Sequence, residues 1–303
     1  MPVTTASVTD LARSWGDRND ISARSVLVTI LGDTVVPLGG TVWLSDLIAM
    51  AEPFGFNERL VRTSMFRLVS ERWVENERMG RRSRYSLTPF GRNEFAVAES
   101  RIYHRRPTAW DGTWTLAFVG NEPEAELTRH LGWHGFAEIA KGVLALPRAD
   151  VTGTRQVVDG LEVEPAPMIA TAHFTDAGPV ADIDSFRTGS GLDRAEAAYR
   201  DFVDRYGWTG ELPDALDRLD SFALRTMLVH DLRRARLNDP ELPNELLPTD
   251  WVGTRAMALA GPAYAAVDDA AWQWVESVTG LRPTTTHHRH RFRVLPTHPE
   301  DQP

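Results

Sequence analysis

A cluster of arginines between residues 57 and 88 is the part of this chain whose spacing predicts a specific chemistry, the binding of nucleic acid. Asn57 is a good helix N-cap, and the positive end of a helix dipole favours an acid such as Glu58 just after it. Apolar residues then recur at helical spacing on one face: Val61, Met65, Leu68 and Val69. Residues away from that face are predicted to contact DNA: Arg59, Arg62, Thr63 and Arg67. Arginine binds the major-groove edge of guanine with two hydrogen bonds, and threonine suits a phosphate or a thymine methyl group.

The segment after this helix has the pattern of a two-stranded ribbon with a basic tip. Its strands are expected over residues 72–78 and 83–88, joined by a turn through Met79-Gly80-Arg81-Arg82. Three arginines of the ribbon are predicted to contact phosphates or a minor groove: Arg81, Arg82 and Arg84. A helix followed by a basic hairpin is the plan of a winged helix-turn-helix, in which the helix enters the major groove.

Two alternatives stay open for this segment. The arginines are also compatible with a solvated helix surface that binds nothing. Phe66 lies on the outer face of the predicted helix, where it contacts either a thymine methyl group or the underside of the hairpin. The charge distribution favours DNA binding, because residues 57–106 hold 12 arginines and 6 acidic residues in a chain of net charge -9.

Composition excludes several other classes of protein. The 303 residues suit two or three domains, and the lack of cysteine excludes disulfides and thiolate metal sites. No apolar run approaches the ~20 residues of a membrane span, and the first residues lack the pattern of a secretory signal. A cytoplasmic protein without membrane partners is therefore expected. The sequence also lacks nucleophile-elbow, zinc-protease, Walker and dinucleotide-binding motifs, which favours a binding protein over an enzyme and predicts no cofactor.

Metal binding has little support. His287, His288 and His290 lie close together, but no carboxylate or cysteine stands at a suitable spacing, so no metal site is assigned. Asp111 is isolated before a predicted strand, and a turn or cap role is expected for it rather than metal binding.

The remaining pattern predicts an α+β protein with several domains. A strand at 113–119, a helix at 122–131, an extended segment at 136–146 and a strand at 168–174 suggest a ferredoxin-like fold. Helices dominate afterwards, including two separate ones expected at 251–267 and 270–278. The predicted organisation is a flexible arm (1–20), a winged-helix domain with its exit helix (21–106), a ferredoxin-like middle domain (107–188), a helical C-terminal domain (189–296) and a disordered tail (297–303).

Three stretches resemble the PaaX family of bacterial repressors, the regulators of phenylacetic acid degradation. The most specific is FALRTMLVHDLRRARLNDPELPNELLPTDWVGTRAMAL at 222–259; the others are SARSVLVTILGD with VRTSMFRLVSERWVENERMGRRSRYSLTPFGR, and WDGTWTLAFV with GFAEIAKGVLALPR. The resemblance implies a homodimer that binds a double-stranded operator and is released by phenylacetyl-CoA or a related aromatic acyl-CoA. It also implies a winged helix, a ferredoxin-like middle domain similar in fold to a CRISPR-associated nuclease, and a helical C-terminal domain.

Candidate residues for the effector follow from the chemistry of a CoA ligand. Its phosphates suit clustered guanidinium groups, and an aromatic acyl group suits a tryptophan. The candidates are Arg225, His230, Arg233, Arg234 and Trp251, for which a helix surface, a dimer contact or a core position is the simpler interpretation. The predicted function is a ligand-responsive repressor. The rival is an enzyme in which a winged helix delivers a ferredoxin-like nuclease to nucleic acid.

Overall fold

The computed structural model describes residues 8–103, 110–120, 125–161, 163–173, 190–212, 216–283 and 291–292. These residues combine helices with two antiparallel sheets, so the α+β class is confirmed at this level. The chain forms two compact units. The first comprises Met1–Arg105, Asp201–Leu237 and Thr254–Leu295, and the second comprises Arg106–Arg200, Asn238–Gly253 and Pro296–Pro303. The consecutive domain boundaries expected from the sequence stay a prediction.

Ten α-helices are present among the described residues. In chain order they are α1 (Val8–Gly16), α2 (Ala23–Ile30), α3 (Leu44–Ala51), α4 (Glu58–Ser70), α5 (Pro89–Tyr103), α6 (Ala125–Trp133), α7 (Val151–Asp159), α8 (Leu192–Tyr206), α9 (Arg218–Asn238) and α10 (Val252–Thr279). A π-helical turn, Leu31–Val35, continues α2, and short 3-10 turns lie at Glu52–Phe54, Gly207–Glu211 and Asn244–Leu246.

The small sheet of the first unit contains the predicted hairpin. Its strands are β1 (Thr41–Trp43), β2 (Val74–Met79) and β3 (Arg82–Leu87), in the order β1-β3-β2. Met79 pairs with Arg82, so Gly80 and Arg81 alone form the turn. Gly80 has φ = 62°, a left-handed conformation that suits a tight hairpin turn. The hairpin prediction is confirmed, and its strands differ from the expected ones by one or two residues.

The N-terminal segment differs from the expected flexible arm, because residues 8–16 form α1 and pack onto the first unit. Val8, Ala12 and Trp15 are buried. The Trp15 indole N–H donates to Asp231 at 3.1 Å, and the Thr9 hydroxyl donates to Asp220 at 2.6 Å. Both acids lie more than 200 residues later in the chain, so the N-terminal sequence alone contains no sign of this docking.

The C-terminal helical region also differs from the prediction. Residues 252–279 form one helix, α10, rather than two, and Pro262 lies inside it. The helix continues through the acidic pair Asp268-Asp269, and the Asp268 carboxylate accepts a hydrogen bond from Arg225 at 3.0 Å. Asp268 lies between the two expected helices, and the folded chain gives it a buried arginine as ion-pair partner.

The second unit has a four-stranded antiparallel sheet covered by two helices. The strands are β4 (Thr113–Phe118), β5 (Ala137–Ala140), β6 (Val143–Leu146) and β7 (Met168–His173), in the order β5-β6-β4-β7. The expected extended segment at 136–146 is a hairpin, since Gly142 adopts φ = 77° at its turn. Apolar side chains of the sheet, of α6 and α7 and of the segments that join them form the core: Ala117, Leu127, Leu131, Phe136, Leu144, Leu146, Val158 and Val163.

Candidate nucleic-acid interface

Helix α4 has one buried face, which turns its arginines to solvent. The Asn57 side chain caps the helix by accepting a hydrogen bond from the Leu60 N–H at 3.0 Å. The buried residues follow at helical spacing: Val61, Ser64, Met65 and Leu68. The predicted DNA-contacting residues are exposed: Arg59, Arg62, Thr63 and Arg67. The amphipathic pattern in the sequence therefore predicted the orientation of this helix correctly.

The exposed residues of α4 differ in how far their polar groups are already occupied. Arg62 binds Glu58 one turn earlier, with Nε 2.7 Å and Nη2 2.6 Å from Oε1. The Thr63 hydroxyl donates to the Arg59 carbonyl at 2.9 Å. The guanidinium groups of Arg59 and Arg67 form no ion pair with any residue that the structure describes. These two cations are therefore the most available ones on the helix.

The hairpin presents its arginines in three different settings. The Arg82 guanidinium lies 3.9 Å from the centroid of the Trp43 ring, a cation–π contact that orients it. Arg84 is half-exposed and lies 2.6 Å from Glu77 across the two strands, so part of its charge is neutralised. Arg81 occupies the turn and is exposed. The tip thus offers Arg81 and Arg82, with Arg84 set back beside an acid.

Close backbone packing anchors the base of the hairpin to α5. The Gly91 N–H donates to the Thr88 hydroxyl oxygen at 3.0 Å, which caps α5. The Thr88 hydroxyl lies 3.3 Å from the Trp73 carbonyl oxygen, and the Trp73 ring meets Phe95 edge to face at 5.2 Å. A side chain on Gly91 has no room, since an added Cβ would lie 2.1 Å from the Trp73 carbonyl oxygen.

Arg225, predicted as an effector ligand, is 0 % exposed in the first unit. Its Nη1 donates to Asp268 and its Nη2 to Thr34, each at 3.0 Å, and its Nε lies 3.1 Å from Asp33 Oδ2. The guanidinium also lies 4.4 Å from the Trp272 ring centroid. A ligand would have to displace these contacts, and the effector role of Arg225 stays a prediction.

His230 is also buried and has protein partners. Its Nδ1 lies 3.3 Å from the Thr29 hydroxyl oxygen, and its ring meets Trp15 edge to face at 4.9 Å. Burial, together with the positive charges of Arg233 and Arg234, lowers the pKa of His230 well below 6.5. The imidazole is therefore neutral near pH 7 and adds no charge for an anionic ligand.

The other three effector candidates are distributed over both units. Arg233 donates to the Ser25 hydroxyl oxygen at 3.0 Å, and burial lowers the pKa of its guanidinium to about 10. Arg234 is exposed and lies 2.5 Å from Asp20. Trp251 is buried in the second unit, where it packs edge to face on Tyr199. Trp251 and the four basic candidates thus belong to different compact units, and their shared role in effector binding stays a prediction.

A buried ionic cluster around Asp33 escaped the sequence analysis. Asp33 lies in the π-helical turn, where its Oδ1 accepts from Tyr103 at 2.7 Å, from Tyr264 at 3.1 Å and from Arg291 at 2.7 Å. Arg291 also lies 3.0 Å from Glu99. Burial raises the pKa of Tyr103 and of Tyr264, so both hydroxyls stay protonated and donate. The available signal in the sequence was a lone acid, Asp33, at the end of an apolar helix.

Candidate metal ligands gain no support within the described residues, among which no group of three or more histidine and acidic residues is arranged to hold a metal ion. Asp111 accepts a hydrogen bond from the Thr113 N–H at 2.8 Å, and this contact lowers the pKa of Asp111. The expected turn role of Asp111 is thereby supported. The histidine cluster at 287–290 lies outside the described residues.

One pocket in the second unit has the size of a small aromatic molecule, with a volume of about 270 Å³. It is lined by α6, α7 and residues at both ends of the β5-β6 hairpin. Its apolar lining residues are Leu131, Phe136, Leu146 and Val157, and its polar ones include His134, Asp150 and Gln156. Sequence reasoning did not single out this pocket.

Comparison with known proteins identifies the family. The family described as "PaaX-like protein" matches residues 22–91, and "PaaX-like protein C-terminal domain" matches residues 191–277. The chain is 33% identical over 263 residues to the transcriptional repressor PaaX of Escherichia coli (strain K12), which covers 84% of this chain and 83% of the relative. A solved structure, the uncharacterized protein Rv0674 from Mycobacterium tuberculosis, matches in fold with a TM-score of 0.51 and 22% identity, over 85% of this chain and 98% of the other.

These matches bear on the class of function as well as on ancestry. The homology to a repressor supports a regulator of transcription that acts by binding and not by catalysis, as the sequence predicted. No helix among the described residues is long and apolar enough to cross a membrane. With a third of its residues identical over most of its length to a known repressor, this chain belongs to the PaaX family of transcriptional regulators.

Proposed function

We propose that this protein is a ligand-responsive repressor that holds its operator through a winged helix built from α2, α3, α4 and the β2-β3 hairpin. The observation that carries the proposal is the exposure of Arg59 and Arg67 on α4, free of ion pairs with the described residues, on a helix directly followed by a basic hairpin. In this arrangement α4 enters the major groove. Arg81 and Arg82 then bind phosphates or line a minor groove, which positions the protein without specifying sequence.

The second unit has features that support a ferredoxin-like module. Its elements follow in the order β-α-β-β-α-β, and the two central strands of its antiparallel sheet are the first and the third. We propose that either this module or the C-terminal helices bind the effector, and that the protein acts as a homodimer. A two-fold dimer would present two copies of α4 to half-sites about 34 Å apart, and hence to a pseudo-palindromic operator.

The proposed effector is an aromatic acid or its CoA thioester, with phenylacetyl-CoA as the first candidate because of the family. The pocket of about 270 Å³ in the second unit is near the lower end of ligand-site volumes and suits a single aromatic ring. Among the basic effector candidates of the first unit, Arg234 on α9 is the most exposed. The effector releases DNA only to the extent that it binds the DNA-incompetent form more tightly.

Gel shifts with the DNA upstream of the protein's own gene, with and without phenylacetyl-CoA, test this proposal. We expect Arg62→Ala to relax sequence preference, and Arg82→Ala to weaken operator and scrambled DNA alike. Because Arg82→Ala removes one phosphate contact, the slope of log binding constant against log salt concentration should become shallower by about 0.9 in this variant. Arg155→Ala, an exposed arginine of the second unit, is the matched control and should change neither property. Identical behaviour of Arg62→Ala and Arg82→Ala would refute the division of roles.

The rival function, a nuclease delivered by the winged helix, is not favoured by any contact in the described residues. Incubation of supercoiled and linear DNA with Mg²⁺ or Mn²⁺ would test it directly. We expect no nicking above a buffer control. Robust metal-dependent cleavage would replace the repressor proposal.

A further inference from the structure

We infer that Phe66 is a specificity-determining residue that recognises the 5-methyl group of a thymine in the major groove. The inference rests on the proposed function, since it assigns a base contact to the helix that is proposed to enter the groove. It differs from the arginine assignments because a methyl group is recognised by apolar contact and not by charge.

The exposure of Phe66 decides between its two possible roles. Its side chain is 72% exposed, against 45% for Leu60 on the same helix and 46% for Met79 at the hairpin. Packing beneath the hairpin would bury the ring, so that alternative is wrong. A phenyl ring so exposed gains free energy only when an apolar surface covers it.

The surroundings of Phe66 are less polar than the sequence suggests. The Thr63 hydroxyl donates to the Arg59 carbonyl at 2.9 Å, and the Ser70 hydroxyl donates to the Phe66 carbonyl at 3.1 Å. Both hydroxyl protons are thus used inside the helix and are unavailable for base acceptors. Thr63 precedes Phe66 by three residues and lies beside it on the helix surface.

The charges around this apolar patch indicate its partner. Arg62, one turn before Phe66, has its guanidinium bound to Glu58, while Arg59 and Arg67 carry no such partner among the described residues. The outer face of α4 therefore has an apolar centre flanked by cations. A thymine methyl group in the major groove has the complementary arrangement, an apolar group between two rows of phosphates. The apolar surface of a partner protein would cover the Phe66 ring but would not supply negative charge to the flanking arginines.

The experiment compares thymine with deoxyuridine, which lacks only the methyl group. The full-length protein first selects its sites from a random duplex library, and each thymine of the selected site is then replaced by deoxyuridine, one at a time. For the wild-type protein we expect one position per half-site to lose about fourfold in affinity, the value for one buried methyl-sized group. Phe66→Ala should bind the thymine site more weakly than wild type and lose nothing further on replacement. Phe66→Leu should retain part of the discrimination.

Two further variants make the result decisive. Leu60→Ala removes an exposed apolar side chain from a different face of α4 and should keep the wild-type response to deoxyuridine. Arg59→Ala should weaken binding regardless of the methyl group. If wild type and Phe66→Ala respond equally to every replacement while Arg59→Ala still loses affinity, the Phe66 inference fails and the repressor proposal stands. If the wild-type protein selects no duplex sequence, both fail.

Discussion

Replacing Asp33 by asparagine should be among the most destabilising single changes in the first unit. Asparagine keeps the size of the side chain and part of its hydrogen bonding, so the substitution tests charge and not packing. Asp33 is 2% exposed and lies between two buried guanidinium groups, those of Arg225 and Arg291. The change leaves these two cations with fewer counter-charges in a region that water does not reach.

The magnitude follows from the number of contacts that depend on the carboxylate. Its oxygens lie 3.1 Å from Arg225 Nε and 2.7 Å from Arg291 Nη1, and Oδ1 also accepts from two tyrosine hydroxyls. Removing one member of a buried ion pair costs about 3–5 kcal/mol, because the partner charge stays buried without compensation. Asp268 and Glu99 still compensate part of the charge, at 3.0 Å from Arg225 and Arg291 respectively. We therefore expect the lower half of that range, about 3–4 kcal/mol.

Urea denaturation followed by tryptophan fluorescence measures this loss. Glu77→Gln is the control, because it breaks the Glu77–Arg84 ion pair in a site where Glu77 is 59% exposed. The control should cost at most about 1 kcal/mol, as exposed pairs do. A loss below about 1 kcal/mol for Asp33→Asn would refute the reasoning, since it would place the cluster in the range of exposed pairs. Unchanged urea dependence (m-value) in both variants is required for the comparison.

Three further predictions concern single residues. His230→Gln should reduce the loss of folding stability at acid pH. In the wild-type protein the pKa of His230 is lowered well below 6.5, so the stability that is present above pH 6.5 is lost as the pH falls, by up to about 1.4 kcal/mol per pH unit. The variant lacks this titrating group. Urea midpoints at pH 7.5 and 5.5 measure this loss in the wild-type protein and in the variant. The same change of midpoint between the two pH values in both proteins would contradict the prediction. Gly91→Ala should lower the free energy of unfolding by about 1–3 kcal/mol, because the added Cβ would lie 2.1 Å from a backbone oxygen. Gly132→Ala, with open space around the added Cβ, should raise it by about 0.5–1 kcal/mol. Equal melting temperatures of the two variants would contradict this prediction. Trp43→Leu removes the ring under Arg82 and should weaken operator binding about two- to fivefold, an effect that must vanish in an Arg82→Ala background.

Local patterns in the sequence were sufficient to predict the structure of the segment that is proposed to bind DNA. The buried and exposed faces of α4, the cap at Asn57 and the turn at Gly80-Arg81 all depend on residues within a few positions of one another. Helical periodicity, turn chemistry and local charge act over that same distance, which is why each of these features was predicted correctly. The family motif at 222–259 is likewise a continuous stretch, and it was confirmed by the comparisons.

Tertiary structure decided the features that join distant parts of the chain. Whether an arginine binds an effector or an internal acid depends on what lies opposite, and for Arg225 that is Asp33, 192 positions earlier in the sequence. The docking of α1 involves Asp231 and Asp220 in the same way, and Asp268 inside α10 accepts a hydrogen bond from Arg225. Phe66 is the opposite case, since only the folded chain shows that it is left 72% exposed. The sequence by itself therefore determined which helix and hairpin form and which of their faces is exposed. The burial of charge was decided by the fold, because desolvation makes a buried charge costly unless a partner is present.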